Sequence, residues 1–147
     1  MSLYYFPAAR GDDQLNKMQD LETKGICIFC PESLSEIKKE IIFTTRNWIV
    51  KHNGYPYKST KLHVLIVPKK HVSTISELPK ETQAEFLPLV SRCEKQFNLK
   101  SYGLAARSGD MRYNGASVEH LHFHLVVGDI ESEDFEPVRF KLSSRPS

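Results

Sequence analysis

The sequence predicts an α+β fold: an antiparallel β-sheet with one long helix in a single domain. Three observations predict it. Short runs of β-branched and aromatic residues are separated by turn signals, which is typical of hairpin-connected strands. Residues 80–99 carry apolar side chains at helical spacing. Residues 120–127 alternate histidine with apolar residues, the pattern of a strand with two different faces. A chain of 147 residues suits one domain with a proper core.

The first half of the chain predicts an N-terminal arm and then three strands. Residues 1–24 are mostly polar and predict an arm or a short helix. Residues 27–31 form an apolar knuckle ending in Pro31, and residues 32–39 suit one or two helical turns. The predicted strands cover residues 41–45, 47–51 and 62–67, with a loop at 54–57.

The second half predicts the long helix and three further strands. Helix-start residues at 76–79 precede the periodic segment 80–99. The predicted elements after it are a strand at 102–107, a polar loop at 108–117, the histidine strand, an acidic turn at 129–136 and a last strand at 138–142. The main domain is therefore expected over residues 25–130, with a C-terminal strand or tail over 131–147.

Composition excludes several classes of protein. A net charge of +2 is too small to indicate nucleic-acid binding. No apolar run approaches the roughly 20 residues that span a bilayer, so no membrane partner is expected. Residues 1–10 lack the apolar segment of a signal peptide and already include the charged Arg10. Three cysteines without a signal sequence favour a reduced, cytoplasmic setting, and Cys93 suits a small core residue.

The histidine strand is the most informative segment. His120, His122 and His124 share one face of the predicted strand, and apolar residues occupy the other. Imidazole is a nucleophile, a general acid or base, and a metal ligand near neutral pH. The alternative is a row of solvated histidines on an exposed sheet face.

A second group indicates a metal site. Cys27 and Cys30 have the C-x-x-C spacing of half a zinc site, although a redox pair or chance would give the same spacing. Two further ligands would come from the six histidines. Along a strand, His120 and His124 are about 13 Å apart at Cα. One ion cannot bind the whole row, so one end can serve a metal while the rest remains free.

A third group of residues has the chemistry to bind a phosphate. Residues 114–117 read Asn-Gly-Ala-Ser, in which Gly115 permits close backbone approach and Ser117 offers a hydroxyl. Beside this loop, an imidazole nitrogen can attack phosphorus and form a phosphoramidate that water then cleaves. Arg107 and Lys69 are candidate cations for the phosphate, or ordinary solvated residues. Ile28, Phe29 and nearby aromatic residues either line a base pocket or pack in the core.

These motifs together resemble the histidine triad superfamily. Residues 120–126 are similar to its His-φ-His-φ-His-φ-φ signature, and residues 115–120 to its Gly-Gln-Ser-Val-x-His lead-in. Residues 62–71 resemble the family strand that ends in Val-Ile-Pro-Lys-x-His. Cys27-Ile28-Phe29-Cys30 matches its zinc-binding branch. The resemblance covers residues 25–128 in the right order.

The resemblance implies specific roles. His122 would be the nucleophile on the α-phosphate, with His124 on the phosphate and Ser117 holding it or the leaving group. A structural zinc ion would be bound by Cys27, Cys30, His71 and His120. The nucleotide-binding residues would be Ile28, Phe29, His52, Asn53, Arg107, Asn114, Gly115, Ser117 and His124. The resemblance also implies a homodimer.

Three functions follow as hypotheses. The first is a nucleotide hydrolase or transferase that cleaves an NMP–X bond in a purine nucleotide, dinucleoside polyphosphate, phosphoramidate or adenylylated compound. The second is a nucleotide-binding or regulatory module with little catalysis. Its support is Ala116, where the family has glutamine. Asn53 is a second departure, since it replaces a usually acidic residue near the ribose. The third is a hydrolase in which the metal itself activates water, which requires an open coordination position.

Overall fold

One antiparallel sheet organises the computed structural model, which describes residues 2–146. Its five strands are β1 (Ile41–Thr44), β2 (Trp48–His52), β3 (Thr60–Pro68), β4 (Gly103–Ala106) and β5 (Phe123–Gly128). Their spatial order is β1-β2-β3-β5-β4. The α+β prediction is confirmed, and four of the strands lie where β-branched and aromatic runs predict them.

Two helices of more than one turn accompany the sheet. The predicted long helix is α3 (Lys80–Gln96), and it ends three residues before the predicted boundary. The N-terminal arm contains α1 (Asp12–Lys24), which Gly25 terminates in the left-handed conformation at φ 68°. The remaining helices, α2 (Leu34–Ile37) and α4 (Met111–Asn114), are single turns. No helix among residues 2–146 has the length and apolarity to cross a bilayer.

Side-chain alternation gives the sheet two different faces. On one face Trp48, Val64 and Leu125 belong to the core cluster that includes α3, and the Trp48 indole donates to the Thr82 carbonyl at 3.1 Å. On the other face Leu65 packs in a second cluster with Cys27 and Phe29. Because neighbouring residues point to opposite faces, the strands pack against α3 and still present polar side chains on the far side.

The strand predicted at residues 138–142 does not form. Both β3 and β5 already have two neighbours, and this segment joins neither edge of the sheet. Alternating side chains favour extended backbone, but extended backbone becomes a strand only where a partner is available. The C-terminal tail, residues 136–146, instead bonds to loops: the Lys141 carbonyl accepts from Arg107 Nε at 2.8 Å, and the Ser144 carbonyl accepts from the Tyr5 hydroxyl at 2.8 Å.

The N-terminal segment packs onto the same region. Tyr4 is buried and bridges to Val118, and its hydroxyl donates to the Ile26 carbonyl at 2.7 Å. Met18 and Leu21 of α1 form a small cluster with Tyr4. The arm predicted over residues 1–24 is thus joined to the rest of the fold through a shared apolar cluster.

Gly115 is where the tail and the preceding loop come closest. It has φ 78°, and a Cβ there would lie 2.8 Å from the Lys141 carbonyl oxygen and 2.9 Å from the Ser143 nitrogen. We expect Gly115→Ala to displace the tail, so that limited proteolysis cuts residues 136–146 faster than in the wild type.

Gly25→Ala is the matched control for this change. Gly25 has φ 68° and nothing within 4 Å of the position of a Cβ. Both variants carry the left-handed strain of an L-residue, about 1–2 kcal/mol, but only the first collides with the tail. Equal cleavage rates for the two variants, measured by mass spectrometry, would show that the contact does not hold the tail.

Candidate functional site

Four metal-ligating side chains converge at one end of the sheet. The ligand atoms of Cys27, Cys30, His71 and His120 all lie within 4.8 Å of one another. Cys30 Sγ is 3.2 Å from His71 Nδ1, and Cys27 Sγ is 3.4 Å from His120 Nδ1. The structure therefore brings together the four ligands that the resemblance implies, from three separate parts of the chain.

Hydrogen bonds orient both histidines of this cluster so that one ring nitrogen of each faces the cysteines. His120 Nε2 donates to the Pro68 carbonyl at 2.7 Å, and His71 Nε2 contacts Glu119 Oε1 at 2.5 Å. Each Nε2 thus carries the hydrogen and each Nδ1 turns its lone pair toward the sulfurs. Two cysteine sulfurs and two imidazole nitrogens make up the four-ligand set of a closed structural site, so the residues fit a structural divalent metal.

Burial also affects the protonation of the cluster. It lowers the pKa of His120 to about 4 and raises the pKa of Cys30 to about 12, with the neighbouring Cys27 adding to the rise. Neutral His120 is ready to bind a metal, whereas the thiols must lose their protons. Metal binding at these cysteines therefore releases protons.

The backbone carbonyl of His120 orients the His122 ring as a nucleophile. Its Nδ1 donates to the His120 carbonyl at 2.8 Å, which leaves the Nε2 lone pair unused. Burial lowers the pKa of His122 to about 3, so the ring is neutral at pH 7. The three histidines of the row are only 0%, 7% and 3% exposed in chain order, which excludes the solvated alternative. However, β5 begins at Phe123, so the prediction that one strand holds all three is wrong for the first two.

His124 sits at the end of a hydrogen-bonded chain of histidines. The Tyr57 N–H donates to His63 Nδ1 at 3.1 Å, so the hydrogen of neutral His63 is on Nε2. His63 Nε2 lies 2.8 Å from His124 Nδ1 and donates to it. The hydrogen of His124 is then on Nε2, 3.3 Å from Arg107 Nη1. Two donors meet there, and a phosphate oxygen is the kind of acceptor that both can bind.

Burial keeps both of these histidines neutral. It lowers the pKa of His63 to about 4, and the positive charges of Arg10 and Arg107 lower it further. The pKa of His124 is also well below its usual value, because of burial and the neighbouring His122. His63 and His124 are therefore both neutral, and each ring carries its single hydrogen on Nε2.

A single cavity joins these histidines to an apolar chamber between the sheet and α1. Its polar end is lined by Arg107, Gly115, Ser117, His122 and His124. Its apolar end is lined by Met18, Leu21, Ile28, Phe29, Ile37 and Leu65. Asn53 lies along the side, and Lys51 and Glu40 form a 2.8 Å ion pair in the wall.

Two residues that the resemblance implies for nucleotide binding do not line this cavity. His52 is exposed, because alternation along β2 turns Lys51 and Asn53 toward the cavity and His52 away from it. Asn114 holds its own loop instead: its Oδ1 accepts the Ala116 N–H at 2.8 Å. The resemblance placed both close to the site. Alternation along the strand gives the direction of His52, whereas no sequence pattern gives the direction of Asn114.

The sequence prediction missed several residues of the site, among them Lys51 and Arg10 in the cavity lining and His63, which bonds to His124. His63 and Lys51 each follow from the period of two in their strands, since each alternates with core residues that face α3. Arg10 had no such signal. It precedes α1 and reaches the cavity only because the arm folds back over the sheet.

The comparisons with known proteins settle the family. A model of the HIT domain matches residues 35–131, more than half of the chain. This chain belongs to the HIT family. The matched segment excludes Cys27, Cys30, α1 and the C-terminal tail, so part of the metal cluster and one cavity wall come from outside it.

Individual HIT proteins show how far the likeness extends. The adenosine 5'-monophosphoramidase of Saccharomyces cerevisiae is 29% identical over 100 residues, which are 68% of this chain and 61% of the yeast enzyme. A HIT-like protein of Methanocaldococcus jannaschii is 28% identical over 78% of this chain and 90% of its own length. The crystal structure of a Candida albicans histidine triad nucleotide-binding protein superposes with a TM-score of 0.58, at 27% identity over 67% of this chain and 72% of that chain.

The ion pair in the cavity wall gives a stability prediction. The Lys51 side chain is 3% exposed, so Glu40→Gln leaves a buried ammonium without its counter-charge. We expect a loss of about 2 kcal/mol in the free energy of unfolding, measured by urea denaturation.

Glu36→Gln is the matched control. Glu36 pairs with Lys17 at 3.1 Å, but both side chains are 41% exposed, so water replaces the lost partner. Its expected cost is below about 1 kcal/mol. Equal losses in the two variants would mean that burial does not set the strength of the Lys51 pair.

Proposed function

We propose that this protein is a nucleotide hydrolase or nucleotidyl transferase that cleaves an NMP–X bond through a nucleotidyl-histidine intermediate at His122. The observation that carries the proposal is the orientation of the His122 ring. Its Nδ1 is bonded to the His120 carbonyl, so Nε2 is the free nucleophilic atom in a cavity that also holds His124 and Arg107.

The reaction divides into two displacements. His122 Nε2 attacks the α-phosphorus, the P–N bond forms, and the P–X bond breaks with its electron pair leaving on X. Water then attacks the same phosphorus: a P–O bond forms, the P–N bond breaks with its electron pair returning to His122 Nε2, and the NMP is released. The proton that the water loses passes to solvent and balances the proton that X takes up. The His124 Nε2–H and the Arg107 guanidinium stabilise the negative charge on the phosphoryl oxygens in both steps.

Ser117 is placed to donate a hydrogen bond to the leaving group of this reaction. Gln14 Nε2 donates to Ser117 Oγ at 3.4 Å, so the hydroxyl hydrogen of Ser117 is free to donate to the departing group. Gly115, in the same loop, also lines the cavity. We therefore assign Ser117 to hydrogen bonding and His122 alone to covalent chemistry.

The substrate we propose is a purine nucleotide or dinucleotide. The apolar end of the cavity, with Ile28 and Phe29, suits a base, and Asn53 is the polar group on the way to the phosphate end. With His52 outside the cavity, ribose recognition falls to Asn53. The activity named for the yeast relative, on an adenosine phosphoramidate, supports a substrate of the NMP–X type.

Ala116 favours one alternative, a nucleotide-binding module with little catalysis. Ala116 is buried and offers no amide where the resemblance has glutamine. The metal-activated hydrolase has less support, because four protein ligands leave no coordination position for water.

For the metal cluster we propose zinc with a structural role. Cys27 and Cys30 would bind it with His71 and His120, the donor set and geometry that zinc prefers. The ion would tie the N-terminal knuckle to the segment that carries His122, and so hold the nucleophile in place.

We also propose a homodimer in the cytoplasm. The resemblance supports the dimer, together with the edge strand β4, where Leu104 is 41% exposed. Cys27, Cys30 and Cys93 are all free thiols, which suits a reducing compartment.

The first experiment removes the nucleophile. Wild-type protein is mixed with α-³²P-labelled diadenosine polyphosphate, adenosine phosphoramidate or ADP and quenched early. We expect acid-labile label on the wild-type protein. His122→Asn should show no label and turnover lower by roughly 10³ or more, while its circular dichroism and AMP binding persist.

His52→Asn is the matched control for this experiment. It makes the same chemical change on the opposite face of the sheet, so it should label and turn over like the wild type. Full activity in His122→Asn would refute the covalent mechanism. Absence of label and of AMP with every substrate would instead favour the binding module.

The second experiment tests the metal. Cys27→Ser should reduce bound zinc, measured by plasma mass spectrometry, and lower the melting temperature by about 10 °C or more, because metal binding stabilises the folded state. Cys93→Ala, which alters a core cysteine outside the cluster, should lower stability without changing zinc content. A zinc-free wild type with an unchanged melting temperature would contradict the structural role.

A further inference from the structure

Arg10 brings a second arginine to the cavity that holds His122. It lies in the arm immediately before Gly11 and α1, and lines the same cavity as His122 and His124. Its guanidinium carbon is 4.5 Å from the centre of the Tyr57 ring, and its Nη2 donates to the Tyr55 carbonyl. These contacts fix the arginine at the cavity mouth although its side chain is exposed.

Tyr57 links this arginine to the proposed phosphate site. Arg107 Nη1 donates to the Tyr57 hydroxyl at 2.9 Å, and the Tyr57 ring stacks on His124 with centroids 5.4 Å apart and planes 19° apart. Arg10 therefore lies one aromatic ring away from the two donors that would bind the α-phosphate. That position suits the group attached to the α-phosphate rather than the α-phosphate itself.

The positive charge at this point is not neutralised by an acidic partner. Among residues 2–146, no carboxylate lies within 4 Å of the charged nitrogens of Arg10, Arg107 or Lys141. The positive charge of Arg107 contributes to a lowered pKa at both Arg10 and Lys141, in addition to burial, which is the larger cause. Two like charges held close together by Tyr57 without a counter-ion favour binding of an anion.

Nearby acidic groups do not compensate for this charge. Asp12 and Asp13 lie in the first turn of α1, where they stabilise the helix end, and neither pairs with Arg10. Glu136 is the acidic residue of the adjoining groove and pairs with Lys58 at 3.2 Å. That groove continues outward from Arg10 and Tyr57 to Arg139, which leaves space for a longer leaving group.

We propose that Arg10, with Arg107, forms an anion subsite that selects substrates whose leaving group is a phosphate chain over those with an uncharged amine. The inference rests on the proposed function and specifies its substrate class. When the bond between the α-phosphorus and its bridging oxygen breaks, the electron pair remains on the departing phosphate. The cations then stabilise the added negative charge.

Part of this subsite lies outside the HIT domain match. The matched residues 35–131 include Arg107, whereas Arg10 belongs to the N-terminal arm. A HIT domain with the same catalytic histidines but without this arm would lack one of the two cations.

The test compares two substrates in one protein. We would measure kcat/KM for diadenosine tetraphosphate and for adenosine phosphoramidate, and take their ratio. Arg10→Gln should lower the ratio about tenfold or more, since a charged hydrogen bond to the leaving phosphate is lost. Arg10→Lys keeps the charge and should recover part of the ratio. Arg46→Gln makes the same change in the exposed β1–β2 turn and should leave the ratio as it is.

A binding measurement tests the anion subsite without relying on turnover. Calorimetry at fixed ionic strength should show inorganic tripolyphosphate binding to the wild type about tenfold more tightly than to Arg10→Gln. If the wild type turns over neither substrate, the proposed function fails, and weaker tripolyphosphate binding by the variant still supports the subsite. If both substrates turn over and Arg10→Gln changes neither the ratio nor tripolyphosphate affinity, the subsite is wrong.

Discussion

The pairing of β3 with β5 is the constraint on which the rest of the molecule depends. Leu65 lies opposite His124 in this antiparallel register, which brings His63 within 2.8 Å of His124 on the cavity face. The same register places Val64 and Leu125 in the core beneath α3. A slip of one residue would turn the histidines into that core and the aliphatic residues into the cavity. Hydrophobic burial on one face therefore determines the geometry of the polar face.

His120 joins the structural and chemical parts of the site. Its ring belongs to the metal cluster, while its backbone carbonyl fixes the ring of His122 two residues later. The strand geometry that the alternating sequence predicts is not kept here, because β5 starts only at Phe123. The turned backbone lets adjacent histidines of one row serve different purposes, one toward sulfur ligands and one toward the cavity.

Local periodicity made most of the fold predictable. Apolar, β-branched and aromatic runs located β1 to β4. The period of two located β5 and the helical period located α3, because each of these patterns reflects burial on one face of a regular element. The same reasoning, carried further, would have found His63 and would have turned His52 away from the cavity. Arg10 and the course of residues 138–142 could not be found this way. Their positions depend on contacts with residues distant in sequence, and no repeating pattern records such contacts.

The N-terminal arm and the C-terminal tail contact each other, and this long-range contact affects the order of folding. The hydrogen bond from the Tyr5 hydroxyl to the Ser144 carbonyl joins residues 139 positions apart. Closing so long a loop costs more chain entropy than forming the hairpin of β1 and β2, which are adjacent in sequence. We expect the sheet to form first and these segments to dock on it late. A newly made chain would then pass through a stage in which its histidines are already aligned but still open to water.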